Sequence, residues 1–220
     1  MIDVFFKGGP IMYPLLICSI IALTVIIERA IFWIVEGHRR NHALVNEILS
    51  LAERGDWVVV RERIGDSKDF IIRILVAGIL HREFSMSKAM ETSASDELDR
   101  MRQHLPILDT IITVSPLLGI FGTVIGIILS FEILGSAGIE EPQAVTAGIA
   151  QALITTASGL GIAILSLFPF NYFNSRVEKE AATIEKYATS LEIVYEKRNQ
   201  SITVQVATKA PRHKQLKIEN

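Results

Sequence analysis

The stretch from Ala144 to Phe173 contains no charged side chain at all. Two more apolar runs accompany it: Ile11 to Ile27, also uncharged, and Leu105 to Leu134, interrupted only by Asp109 near its start and Glu132 near its end. A hydrocarbon layer of about 30 Å is crossed by roughly 20 helical residues at 1.5 Å each. Each run reaches that length once flanking turns are counted. Backbone amides inside lipid must be satisfied within their own segment, so the runs are predicted as helices and not as strands. The fold class expected is an all-α integral membrane protein with three transmembrane helices.

Composition supports the same reading through its segregation. Half of the 220 residues are hydrophobic and the mean hydropathy is +0.37, yet the charges are gathered between the apolar runs. A formal net charge of -2 and the lack of a basic patch interleaved with aromatics argue against nucleic-acid binding. The single cysteine, Cys18, excludes an intrachain disulfide and a Cys-based metal site. The N-terminal decapeptide carries one acid and one base, and no small-x-small cleavage site follows the first run, which is therefore expected to be retained as a span.

The expected organisation is an N-terminal segment 1–10, a first span 11–35, a helical region 36–104, a second span 105–134, a turn 135–143, a third span 144–173, a helix 174–198 and a disordered tail 199–220. Lys and Arg number 11 in 36–104 and 9 in 174–220, against none in the turn and one in 1–10. Three spans put the two basic segments on one side, which the positive-inside rule makes the cytoplasm. The N-terminus and the turn then face the periplasm, as expected for a multi-pass protein of a bacterial inner membrane. Spans two and three form an antiparallel hairpin around the Gly- and Pro-containing turn.

Within 36–104, Asn41–Arg54 and Asp56–Ile64 read as short amphipathic helices opened by capping residues, with Gly55 and Gly65-Asp66 as punctuation. Phe70–Arg82 places Ile71, Ile74, Leu75, Gly78 and Ile79 on one helical face. From Ser87 the pattern is helical into the second span, with Pro106 placed to kink it. After the third span, Val177, Ile184 and Leu191 recur at heptad spacing, and so do Ala181, Ala188 and Tyr195. Glu28, costly in lipid, is expected to face a neighbouring helix or to pair with Arg29.

Polar residues in the spans follow a pattern. Asp109, Pro116, Thr123 and Ser130 fall seven apart along one seam of the second span, with Gly119, Gly122 and Gly126 on the adjacent face. Gly148, Ala152, Thr155, Gly159, Ala163 and Ser166 form a stripe of small residues in the third, with Thr156 at its edge. Small residues let helix backbones approach closely in lipid, where no hydrophobic force drives association. Two readings stand side by side. In one, the hydroxyls bond to their own i−4 carbonyls and the small residues only pack. In the other, the seam lines a space that admits water, ions or a foreign helix. No lysine, histidine or carboxylate lies near the middle of a span, so a proton carrier would have to come from a partner.

The run from Asp109 to Gly126, DTIITVSPLLGIFGTVIG, and the run from Ala147 to Leu160, AGIAQALITTASGL, closely resemble the ExbB/TolQ/MotA proton-channel family. Lys7-Gly8-Gly9-Pro10 before the first span and Glu28-Arg29 after it are also typical, and the resemblance covers about residues 5–198. It implies a homopentamer with spans two and three around a central pore. In the pore would sit single-span helices of an ExbD- or TolR-like subunit, each bringing a membrane aspartate, and proton flow would drive a motor acting on a TonB-like protein. By matching position, Thr123 and Thr156 correspond to the family's two threonines facing that aspartate. The expected ion-pathway and partner-facing residues are Thr123, Thr156, Gln151, Ser130, Thr155 and Thr113. The expected helix-packing residues are Gly119, Gly122, Gly126, Gly148 and Gly159. Gln151 stands where many relatives carry glutamate, and it cannot titrate. The Leu108-Asp109-Thr110 and Thr155-Thr156 runs favour the ExbB-like branch over TolQ, and three spans argue against a flagellar stator.

Other chemistry finds little support. His38 and His42 lie four apart with no further ligand nearby, and no nucleotide-binding motif or nucleophile-base pair occurs. An enzyme, a cofactor and a metal site are not expected. A non-conducting scaffold remains as a rival. A small-solute transporter would call for internal repeats, which the spans lack.

Overall fold

The computed structural model describes residue 5 and residues 7–64, 67–137 and 142–209. All regular structure among them is helical. The helices are α1 (Met12–Arg39), α2 (His42–Arg54), α3 (Trp57–Ile64), α4 (Phe70–Leu80), α5 (Met86–Arg102), α6 (Leu105–Ala137) and α7 (Pro142–Lys209). Helices α1, α6 and α7 are long and apolar enough to cross a membrane, so the protein is a multi-pass membrane protein with three candidate spans. The chain divides into two compact units: Met1–Val35 with Asp99–Glu178, and Glu36–Leu98 with Lys179–Asn220.

In the first unit, α1 buries Met12, Leu15, Ala22, Val25, Arg29 and Trp33 along one face. Many of its other large apolar residues, among them Tyr13, Ile17, Ile20, Leu23 and Ile27, are exposed. One face on protein and the rest open is what a span surrounded by lipid requires. Arg29 is only 2% exposed. Its guanidinium pairs with Glu28 and donates to the Arg100 carbonyl at 3.2 Å and the Met101 carbonyl at 3.4 Å. Those carbonyls close α5, where helix geometry leaves acceptors without partners. Glu28 also receives His104 Nδ1 at 3.2 Å.

The chain is not helical continuously from Ser87 into the second span. It turns at Gln103 and His104, and His104 adopts a left-handed φ of 67°. Pro106 supplies part of the reason, because it lacks the amide proton that a continuous helix would bond to the Arg102 carbonyl. Arg29 and Glu28 supply the rest, Arg29 by binding carbonyls just before the break and Glu28 by binding His104 within it.

The second unit is organised by buried Asp69, which has no exposed surface. One of its oxygens caps α4 by accepting from Ile71 N at 2.9 Å. The other accepts from Asn41 N at 2.7 Å and lies 3.8 Å from Arg40 Nε. Arg40 in turn reaches Glu180 of α7 at 2.7 Å. Asn41 caps α2 through Leu44 N at 3.0 Å, and Gly55 ends that helix with a φ of 79°. The Arg198 guanidinium lies where a Cβ at Gly55 would sit. Around these ties pack Val45, Ile48, Phe70, Ile74, Leu75 and Leu191.

At the C-terminus, α7 continues past Asn199 to Lys209. No glycine or proline stands between Asn174 and Lys209, and Pro211 is the first breaker. The rest of the predicted tail lies outside the described residues. So does the middle of the 135–143 turn, since α6 ends at Ala137 and α7 begins at Pro142.

Replacing Asp69 by Ala removes a helix cap and a buried partner of Arg40, at an expected cost of about 2–4 kcal/mol. Asp69→Asn, which keeps a capping oxygen, is expected to cost less. Thermal unfolding of the purified protein in detergent checks both, and an Ala variant melting with wild type would contradict the role given to Asp69.

Candidate functional site

The hairpin of α6 and α7 is built by residues too small to hold the backbones apart. A Cβ at Gly119 would stand 3.0 Å from the Thr155 carbonyl oxygen and 3.0 Å from Thr156 Cα. At Gly126 it would meet Ala152 Cβ at 3.0 Å and the Gly148 carbonyl at 3.1 Å. Gly148 is filled from the opposite side by the Ser130 hydroxyl, and Gly159 by the Ser115 carbonyl oxygen. Gly122 receives the Thr155 side chain, with Oγ1 at 2.6 Å from an added Cβ. The contacts step antiparallel along both helices, and the five glycines named from sequence all lie in them. Many large apolar side chains of this region point elsewhere: Leu117, Phe121, Val124 and Ile128 on α6, and Leu153, Leu160, Leu165 and Phe168 on α7, are exposed.

Two hydroxyls from different helices meet at the edge of this seam. Thr123 Oγ1 and Thr156 Oγ1 are in direct hydrogen-bond contact. Each also lies 3.0 Å from the Gly119 carbonyl oxygen. Both residues are half-buried, so their hydroxyls sit at a margin. The remaining sequence-predicted residues separate from this pair. Thr155 is 1% exposed and donates to Ala152 O at 2.8 Å, with Gly119 O at 3.4 Å. Ser130 is buried and donates to Gly126 O at 2.8 Å. Thr113 is exposed and bonds to its own helix through Asp109 O at 3.1 Å.

Gln151 lies against the N-terminal Gly8-Gly9 elbow, where Gly9 has a φ of 71° and its α-carbon faces the Gln151 amide. The side chain lines a groove of about 690 Å³ with Lys7, Leu129, Ser130, Ile133 and Gly148. A side chain at Gly9 would collide with Gln151. Sequence reasoning missed this contact, and the positive φ at Gly9 is invisible without the structure. It also missed Ser115, which is fully buried, one helical turn before Gly119, with no partner for its hydroxyl among the described residues. The stripe Ser115, Gly119, Gly122, Gly126, Ser130 is the true packing face of α6, and its spacing of three and four could have shown it.

The profile of the MotA/TolQ/ExbB proton channel family matches residues 67–186, which take in both threonines and all five glycines. The chain belongs to that family. An ExbB-like putative biopolymer transport protein of Synechocystis sp. is 37% identical over 203 residues, covering 89% of this chain and 79% of the relative. A second from the same organism is 35% identical over 195 residues, covering 86% and 91%. A Tol-Pal system protein TolQ of Haemophilus influenzae is 40% identical, but over 90 residues and 41% of this chain. Likeness to ExbB-like proteins therefore runs along nearly the whole chain, whereas the likeness to this TolQ is partial. Members of the MotA/TolQ/ExbB family are membrane proton channel components and not enzymes, and this protein is one of them.

Two glycines separate close packing from helix propensity. Gly159→Ala drives a methyl group into the Ser115 carbonyl and is expected to destabilise by about 1–3 kcal/mol. Gly161 has nothing within 4 Å of an added Cβ, and Gly161→Ala is expected to be neutral or slightly stabilising. Thermal midpoints of the two variants in one detergent compare them directly. Equal behaviour would contradict the close approach of α6 and α7.

Proposed function

We propose that this protein is the pore-lining subunit of a proton-motive-force-driven motor of the ExbB-ExbD type in a bacterial inner membrane. Its α6 and α7 line a central pore in a homopentamer. A single-span subunit resembling ExbD or TolR brings a membrane carboxylic acid to Thr123 and Thr156. The N-terminus and the α6–α7 turn face the periplasm, and the basic segments face the cytoplasm, in keeping with the distribution of Lys and Arg. The motor acts on a TonB-like protein and so energises outer-membrane transport. A TolQ-like role in an envelope system is the runner-up, and the length of the ExbB-like matches weighs against it.

The observation that carries this reading is the meeting of the Thr123 and Thr156 hydroxyls at a half-buried edge of the hairpin. Hydroxyls there can donate to a carboxylate or accept from a carboxylic acid. The spans hold no lysine, histidine or carboxylate of their own near mid-membrane, so the proton-bearing acid comes from the partner helix. Proton chemistry is then split between two chains: one supplies the acid and the other its hydrogen-bonding wall. Gln151, packed on Gly9 and unable to titrate, is assigned to the wall and not to the proton path.

Co-expression with an ExbD-like protein is expected to give a complex stable in mild detergent, with five copies of this chain by native mass. In proteoliposomes the Thr123→Val, Thr156→Val double variant is expected to assemble normally and lose at least tenfold in proton flux. The corresponding double Ser variant is expected to retain it. A Val pair conducting like wild type would support the rival scaffold reading instead.

A further inference from the structure

The hydrogen-bond inventory of the threonine pair restricts which form of an acid it can receive. A hydroxyl has one proton and two lone pairs, and a carbonyl oxygen has two lone pairs. Gly119 lies inside α6, so its carbonyl already accepts an amide proton of the helix ladder, which leaves one lone pair. Thr123 and Thr156 both stand 3.0 Å from that oxygen and touch each other. Thr155, at 3.4 Å, is committed to Ala152 O at 2.8 Å. Only one threonine can hold Gly119 at a time, and the other then donates to its neighbour. Both hydroxyl protons are consumed inside the cluster. What remains for a newcomer is lone pairs.

Back-bonding of a threonine to its own helix would explain Thr123 on Gly119 but nothing more. Thr156 comes from the other helix to the same oxygen, at the same distance, while touching the first hydroxyl. The close approach at Gly119 is what permits it, since a side chain there would lie against Thr156 Cα.

We propose that the Thr123–Thr156–Gly119 cluster receives its partner's carboxyl group in the protonated form, as a hydrogen-bond donor, and binds the ionised form only when a hydroxyl swings off the Gly119 carbonyl. This rests on the reading of the site given under Proposed function. The threonines are then positioning residues and not a relay. A chain of hydroxyls ending on a carbonyl has no further acceptor to pass a proton to, so the proton travels on the guest acid. The Gly119 carbonyl is the resting acceptor that keeps the wall in its receiving state.

The test is an infrared titration of the complex, with the partner's aspartate carrying a ¹³C-labelled carboxyl so that its protonated C=O band is read alone. In the Thr123→Val, Thr156→Val double variant the titration midpoint of that acid is expected to fall by about one pH unit, because the neutral form loses its acceptors. The double Ser variant is expected to keep the wild-type midpoint. The single Thr156→Val variant, which leaves Thr123 on Gly119, is expected to move the midpoint down by less, and it serves alone if the Val pair fails to assemble. An upward move in either Val variant would show that the resting hydroxyls donate to a carboxylate, and it would overturn the proposal, as would an unchanged midpoint. A partner that does not co-purify overturns the functional reading and this inference with it. A complex that titrates without regard to the threonines overturns this inference alone.

Discussion

In lipid, two helices gain nothing by hiding apolar surface from water, so α6 and α7 can be held only by contacts that need near touching backbones. Glycines at 119, 122, 126, 148 and 159, with Ala152 and the seryl and threonyl side chains between them, allow that approach. Leu117, Phe121, Val124 and Ile128 on α6, and Leu153, Leu160, Leu165 and Phe168 on α7, are left facing outward, where acyl chains solvate them. The same approach brings Thr156 across to the carbonyl of a residue on the other helix. Packing and chemistry therefore share one geometric cause. A residue larger than glycine at 119 would separate the helices and with them the two hydroxyls.

Polar groups in the spans follow a consistent economy. Thr24, Thr110, Thr113, Ser130, Ser158 and Ser166 each donate to the carbonyl four residues back, so each is satisfied within its own helix. Thr156 departs from this by reaching the other helix, and Ser115 by finding no partner among the described residues. Charge is handled in the same spirit. In each unit a buried ionic group binds backbone ends: Arg29 closes α5 in the first, and Asp69 opens α4 in the second. A buried charge that satisfies otherwise unpartnered helix ends does more than pair with its opposite, because removing it strands several groups at once.

Much of this was legible in the sequence because it is periodic. Uncharged length announces the spans, spacings of three and four announce the small-residue faces, and Asn41 announces the cap it forms. The family resemblance drawn from the runs at Asp109–Gly126 and Ala147–Leu160 agrees with the family match found by comparison. What escaped was set by contacts distant in the chain. The break at Gln103-His104 depends on Arg29 and Glu28, more than seventy residues earlier. The neighbour of Gln151 is Gly9, whose φ of 71° leaves no trace in composition. Among the six polar residues grouped as pathway candidates, Thr155 and Thr156 differ by only 100° of helix rotation, yet one is buried in packing and the other stands at the margin.

The central claim is that Thr123 and Thr156 border a compartment open to water and filled by a foreign helix. Single cysteines at 123, 156 and the lipid-facing position 165, each in a Cys18→Ala background, can be labelled in membranes with a small membrane-impermeant thiol reagent. The account predicts that positions 123 and 156 react when the protein is expressed alone, are protected when its acid-bearing partner is present, and that position 165 stays inert throughout. Failure of 123 and 156 to react in either state, with 165 equally silent, would mean that the threonines face a dry seam, and would contradict it.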